Sequence, residues 1–333
     1  MSRVFPDPFI PGLASADQAE HLIVPWAACD SPQWWDTVTA LPSTATTHLR
    51  SLLKGMRRIE HDRGQASSLN LAHERVLARE LGWSQLPDGL LPWAALSQVS
   101  DRLTDATACG WITLCHWAMG REQATLSDPQ WLHISADQSQ TLMAAMLPFF
   151  ESEGIELQHI EAGRWLARGQ ALNAPTASLE RVIGRDIEPW LPASQASRLL
   201  RRLQNEMQML LYTHPVNEER ASRGELAINS IWFSGTGALP DVSARTPAVH
   251  MPHTLAQAAL ADDWVAYAQA WTQLDEQAVR PLLERQQAGQ TVQLTLCGER
   301  GAITLQSVPP SLWQRVHQML SPSLWPAVLK DQL

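Results

Sequence analysis

The dipeptide His214-Pro215 constrains this chain more than any other feature, because proline pushes the residue before it out of helical geometry. It therefore fixes the end of the long helical run that reaches Tyr212. Within that run Leu199, Leu203, Met207, Leu210 and Leu211 recur at helical spacing and form the expected buried stripe. Arg201, Gln204, Asn205, Glu206 and Gln208 share the remaining faces. Past the break, Asn217 can cap a short helix through Glu218-Glu219-Arg220, and Arg223-Gly224 supplies a stop. The residues Ile228 to Phe233 then read as a strand that empties into Ser234-Gly235-Thr236-Gly237. A strand ending in glycines exposes backbone N–H groups where ligands bind in open α/β sheets. The turn is expected to gather His214, Asn217, Arg220, Asn229 and Trp232 beside Gly235 and Gly237 as a ligand-binding set. Arg220 is its bidentate contact for an anion.

The rest of the chain alternates strand and helix patterns, which defines an α/β class with a mixed sheet flanked by helices. His21-Leu22-Ile23-Val24 is a short buried-strand signal closed by Pro25. From Thr44 to Trp83 the pattern reads as helical, with Gly64 between two helices, so the N-terminal region is the more helical part. Trp111 to Trp117 reads as a strand, with Ala124-Thr125-Leu126 and Trp131 to Ile134 as neighbours. Ala136 to Glu153 is an amphipathic helix, and Ile155 to Ile160 with Arg164 to Ala167 is a hairpin. Helices are expected over Thr176 to Trp190, Ser194 to Tyr212 and Asp262 to Gln287, and a last one carries Trp313 and Val316. A second hairpin joins Thr291–Cys297 to Ala302–Gln306. The boundary is placed near residue 108, giving regions 1–108 and 109–333, with one continuous domain as the alternative.

Of 333 residues, 45% are hydrophobic and 18% charged, enough to bury a large core and too apolar for disorder. The net charge of -9 argues against bulk binding to nucleic acid or to an anionic membrane. Fifteen Trp against two Tyr point to large apolar anchors; they do not alternate with basic residues as a single-strand stacking platform requires. Cys29, Cys109, Cys115 and Cys297 lie far apart without CxxC spacing, as reduced thiols do in a cytoplasmic protein. No stretch approaches membrane-spanning length, and the oligomeric state is not readable.

His250 and His253, with Asp241 or His214, could hold a metal, although a Pro-rich loop carries two histidines without one. Cys115, His116 and His133 could pair, but neighbours on a strand point to opposite faces. Thr176 or Ser178 could cap a helix start beside Arg181 and Arg185 and receive an anion. Arg164 beside Trp165 could stack on it. The expectation is no metal and no cofactor, with Mn or Zn as the alternative, and no catalytic residue is named.

The pattern HPVNxxRxxxG, followed by an asparagine strand and GxG, resembles a segment of archaeal-type cofactor-independent phosphoglycerate mutases. The match is carried by His214, Pro215, Val216, Asn217, Arg220, Gly224, Asn229, Trp232, Gly235 and Gly237. That resemblance implies an alkaline-phosphatase-like scaffold in degenerate form, with this segment shaping a substrate pocket. A wider resemblance, from Trp111 to Glu299, is to the RpfE-type proteobacterial regulatory family. It is carried by LLRRLQNEMQMLLYTHPVN, PTASLERVIGRD and LTLCGERGA. The mutases hold two metals on Asp and His clusters and phosphorylate a serine. Here the first strand ends Val24-Pro25-Trp26-Ala27 without their Asp-Gly, and their late Asp…Gly-His motif is replaced by Val249-His250-Met251-Pro252-His253. The expected function is binding of a small anionic metabolite or a protein partner in a regulatory role, without mutase chemistry. The alternative is a metal-dependent phosphatase or phosphoglycerate-mutase-like enzyme.

Overall fold

The computed structural model describes residues 13–98, 107–240, 248–308 and 325–330. The chain runs through strand β1 (His21–Val24), helices α1 (Pro32–Ala40) and α2 (Thr47–Lys54), and strand β2 (Met56–Arg63). Helices α3 (Ala72–Glu80) and α4 (Trp93–Leu96) lead to strands β3 (Cys109–Cys115), β4 (Trp117–Met119) and β5 (Ala124–Leu126). Helix α5 (Ala136–Glu151) precedes the hairpin of β6 (Glu156–Glu161) and β7 (Arg164–Arg168). Helices α6 (Leu179–Val182), α7 (Arg198–Tyr212) and α8 (Pro215–Ser222) lead into strand β8 (Ser230–Gly237). Strand β9 (Val249–His250), helices α9 (Thr254–Leu260), α10 (Trp264–Leu274) and α11 (Arg280–Gln287), strands β10 (Gln293–Cys297) and β11 (Gly301–Ser307), and a short helix α12 (Ala327–Lys330) complete the order.

These residues divide into two compact units. The first takes 67–70, 83–98 and 107–240; the second takes 13–66, 71–82, 248–308 and 325–330. Residue 108 lies in the first unit, immediately before β3.

The second unit is built on a mixed five-stranded sheet in the order β2-β11-β10-β1-β9. Strand β1 is parallel to β10 and β9, whereas β10, β11 and β2 pair antiparallel. Leu22, Val24, Leu294, Leu296, Ile303 and Leu305 turn one face into a core with α1, α2, α10 and α11. Alternation puts the polar neighbours on the opposite face. There His21 Nε2 lies 2.7 Å from Thr295 Oγ1, Thr295 Oγ1 lies 2.8 Å from Thr304 Oγ1, and His21 Nδ1 lies 3.1 Å from Glu80 of α3. Asp275 begins a π-helical turn, Asp275–Val279, between α10 and α11. Its carboxylate accepts from the backbone N–H groups of His48 and Leu49, capping α2 from another helix.

The first unit carries an antiparallel sheet in the order β6-β7-β3-β8, and a separate β4-β5 hairpin. Ile112, Leu114, Trp165, Ala167, Ile231 and Phe233 face α5 and α7, which answer with Leu142, Met146, Phe150, Leu200, Leu203, Met207 and Leu211. Helix α5 starts on a capping box, Ser135 Oγ accepting from Gln138 N and Gln138 Oε1 accepting from Ser135 N. Helix α7 buries Gln204, contrary to its expected place on an outer face; its Nε2 donates to Ile231 O at 2.8 Å, a partner that only the adjacent sheet supplies.

The strand at His21–Val24, the helix from Ala136 and both hairpins stand as the residue patterns indicate. Two helical readings and one strand reading do not. Residues 56–63, read as helix, are strand β2, pairing with β11 at the sheet edge; its mostly exposed charged side chains hide the strand period. Trp131-Leu132 belongs to a 3-10 turn, Pro129–Leu132. The expected helix over 176–190 shrinks to α6 plus a 3-10 turn at Glu188–Trp190, with Gly184 at φ 71 between them. The helix expected to carry Trp313 and Val316 lies outside the described residues. Among those described, no helix is long and apolar enough to cross a membrane.

Candidate functional site

The proline break acts as expected on the backbone: His214 is extended, at φ -76 and ψ 133, and begins α8. The cap differs. Nδ1 of His214 accepts from Val216 N at 3.2 Å, filling the place expected for Asn217. Asn217 instead stitches the end of α7 to the entry of β8. Its Nδ2 donates to Leu211 O at 2.9 Å and Ile228 O at 2.7 Å, and its Oδ1 accepts from Ile228 N at 2.8 Å. With both polar ends of the amide engaged, Asn217 is committed to the backbone.

Arg220 is completely buried. Its Nε donates to Leu226 O at 2.7 Å, Nη1 to Gln138 Oε1 at 2.9 Å and Nη2 to Leu132 O at 2.6 Å. Glu225 stands 3.3 Å from Nη1 and supplies the counter-charge. Burial lowers its pKa from the ordinary guanidinium value, and Glu225 opposes that shift. The side chain ties α8, the start of α5 and the turn before it into one piece. Asn229 plays a similar part on β4, its Oδ1 accepting from Trp117 N at 2.7 Å and its Nδ2 donating to Trp117 O at 3.0 Å. Trp232 is buried, and its indole N–H donates to Ala177 O at 3.0 Å.

Gly235 and Gly237 sit at φ 60 and 136, a region that side-chain-bearing residues disfavour. A Cβ on Gly235 would stand 3.1 Å from Trp111 Cδ1, and one on Gly237 would stand 3.1 Å from Leu90 O. Between them Thr236 is fully buried, its hydroxyl 2.7 Å from Ala174 O and 2.8 Å from Thr176 Oγ1. Residues 234–237 thus continue β8, paired with β3 and packed against chain, where an open glycine turn was expected after Phe233. Of the expected ligand set, His214 lines an open groove, with Phe149, Glu206, Met209, Leu210, Thr213 and Pro215.

The metal candidates fare differently. His250 Nδ1 lies 3.2 Å from Ala14 O, Asp241 lies outside the described residues, and His214 belongs to the first unit. His253 begins α9 in the second unit, and there it meets His73 of α3, which no sequence pattern had singled out. The two rings stand edge to face, centroids 5.7 Å apart, and both are buried. Burial holds His253 at a pKa of about 4 and lowers His73 well below its ordinary value, with His253 itself adding to the effect. Both imidazoles are therefore neutral at pH 7, the state in which a ring nitrogen can bind a borderline metal. The available signal for His73 was a histidine placed among Leu69, Ala72, Val76 and Leu77 on an apolar helix face.

The same shift has a stability consequence. In metal-free protein, folded His253 titrates near pH 4 and the unfolded group near 6.5. Between these values the unfolded chain binds the extra proton, so stability is complete above pH 6.5 and falls steadily toward pH 4. Urea midpoints measured in EDTA across this window should decline, and His253→Leu should flatten the slope. An equal slope in both proteins would remove His253 as the cause.

Cys115 is fully buried, and burial pushes its thiol pKa up despite the Trp117 and Ser230 side chains. His116 turns its Nδ1 to Ala227 O at 2.8 Å, while exposed His133 occupies a left-handed turn at φ 45. None of the four cysteines forms a disulfide among the described residues.

No protein-family model matches the chain. Over 131 residues, 37% of its length, the chain is 27% identical to the 2,3-bisphosphoglycerate-independent phosphoglycerate mutase of Methanosarcina mazei. The match spans 32% of that enzyme, about a third of its length. A protein from Pyrococcus horikoshii aligns over 87% of either chain, with a TM-score of 0.45 and 11% identity. The cofactor-independent phosphoglycerate mutase of Thermoplasma acidophilum aligns over 88% of this chain and 91% of its own, with a TM-score of 0.35 and 11% identity. Backbone likeness at these scores does not define a fold family; the distant sequence similarity to a phosphoglycerate mutase stands by itself.

Proposed function

We propose that the chain is a cytoplasmic metal-dependent phosphoryl-transfer enzyme of phosphatase or phosphoglycerate-mutase type, on a degenerate alkaline-phosphatase-like scaffold. The observation that carries this reading is the 131-residue similarity to the Methanosarcina mazei mutase. The buried histidine pair supports it: two neutral imidazoles fit a Zn or Mn ion better than an alkaline-earth ion, which prefers oxygen ligands. They fit one ion rather than two, because β1 ends in Val24-Pro25 and brings no carboxylate.

His73 and His253 would hold that ion, and further ligands would come from water or substrate. Bound there, it would supply Lewis-acid polarisation of a phosphoryl oxygen. The protein's own contribution is to keep both rings neutral and fixed before the ion arrives. Protein purified without chelator is expected to carry Zn or Mn by elemental analysis and to hydrolyse p-nitrophenyl phosphate or interconvert phosphoglycerates. His73→Ala and His253→Ala should lose the metal. Absence of both metals, with no activity gained on adding either, would end the reading.

A second reading, a regulatory protein that binds an anionic metabolite or a protein partner without phosphoryl transfer, is favoured by the carboxylate-free end of β1. It predicts ligand binding with no turnover in the same assays.

A further inference from the structure

The first unit's sheet gives one face to α5 and α7; its other face holds a group of donors that the protein itself leaves unused. Across β7, β3 and β8, Arg164 pairs with Thr113 and Thr113 with Trp232. Trp111 lies two residues from Thr113 on β3 and shares its face. Directly opposed residues bring their Cβ atoms to roughly 5 Å, so Arg164, Thr113 and Trp111 form one cluster. Trp232 has its acceptor in Ala177 O, and its neighbours are less well provided.

The Nε1 of Trp111 and the Oγ1 of Thr113 are buried and make no hydrogen bond among the described residues, although the two residues are only 6% and 1% exposed. The guanidinium carbon of Arg164 stands 4.8 Å from the centre of the Trp111 ring. Its Nε lies 3.0 Å from Glu161 Oε1, its ion pair among the described residues. Burial depresses the Arg164 pKa even with Glu161 beside it, so a further negative charge would be welcome. Gly235, without a side chain, meets the pyrrole edge of Trp111, where a Cβ would stand 3.1 Å from Cδ1. That edge bears the unused N–H.

A buried donor without an acceptor carries its full desolvation cost, about 1–3 kcal/mol. Leaving an indole N–H and a hydroxyl beside a half-buried cation makes sense where something else supplies the acceptor and the charge. We propose that Arg164, Thr113 and Trp111 are the receptor for the oxyanion of a small metabolite, a phosphate or a carboxylate. The guanidinium offers its terminal nitrogens, the indole N–H and the hydroxyl complete the donors, and Glu161 keeps the guanidinium oriented through Nε. This site uses none of the residues assigned to metal, so EDTA should leave it intact whatever becomes of the enzymatic reading.

The test follows the Trp111 indole N–H in full-length protein labelled with ¹⁵N-tryptophan, assigned by its loss in Trp111→Phe. Inorganic phosphate and acetate are titrated separately at constant ionic strength, with chloride as control. One of them is expected to move the Trp111 resonance saturably, and the one that does so identifies the oxyanion. Arg164→Gln should weaken that binding by about tenfold or more, the loss of one charge-assisted hydrogen bond. Thr113→Val, nearly isosteric, should weaken it in the same direction and serves as the comparison should Arg164→Gln fail to fold. A resonance that neither anion moves beyond the chloride control, or unchanged binding in the folded variants, overturns the proposal.

Discussion

Arg220→Ala is expected to be among the most damaging single substitutions in the first unit, costing about 3–5 kcal/mol, the scale of removing one member of a buried ion pair. The substitution strands Leu226 O, Leu132 O and Gln138 Oε1, each of which accepts from the guanidinium in the intact protein. It also leaves the Glu225 carboxylate without its closer cationic partner, since Arg223 stands farther away at 3.9 Å. Arg220→Lys should recover little, because an ammonium cannot reach three divergent acceptors with a planar fork. Arg223→Ala, at an exposed position paired with Glu219, should change stability by less than about 1 kcal/mol. Urea unfolding followed by tryptophan fluorescence measures all three. Parent-like stability in Arg220→Ala would show that the guanidinium is not a structural strut.

Trp232→Ala should cost a similar amount, about 3–5 kcal/mol, through lost apolar burial and the cavity left behind. The ring is 1% exposed, packs with Cys115, Leu126, Ala177, Val182 and Ile187, and meets Trp117 edge to face at 6.4 Å. Trp232→Phe separates the two parts of this loss. It keeps most of the area but removes the N–H that Ala177 O accepts, so about 1–2 kcal/mol should remain. Thermal or urea unfolding of the pair gives the comparison, and equal stabilities for Phe and Trp would assign no value to the hydrogen bond. Both substitutions fall on residues whose sequence pattern suggested ligand contact.

The two results bear on how motifs are read. HPVN…R…N…W…GTG marks a place where polar side chains and glycines are needed, and the structure shows the need to be internal. Asn217 and Asn229 each supply a donor and an acceptor to backbone groups, and Arg220 donates to the carbonyls of Leu226 and Leu132. A buried backbone group must be satisfied wherever it lies. A side chain that satisfies one therefore looks, in sequence, like a side chain that awaits a ligand. Two of the residues with donors unused among those described, Trp111 and Thr113, lie instead within an apolar strand, where sequence offers no reason to single them out.

Local chemistry was enough for the sequence to set the α/β class, the break at His214-Pro215, the capped start of α5, the hairpin turns and the stop at Gly224. Each of these depends on neighbours within a few positions, on proline sterics, on a capping box or on a two-residue period. Only the tertiary structure decided that residues 56–63 are an edge strand, because the pairing partner β11 lies more than two hundred residues away. It likewise brought His73 of α3 against His253 at the start of α9 and set Arg164 over Trp111. Such meetings depend on which strands pair and which helices pack, and the chain between the partners carries no local mark of either.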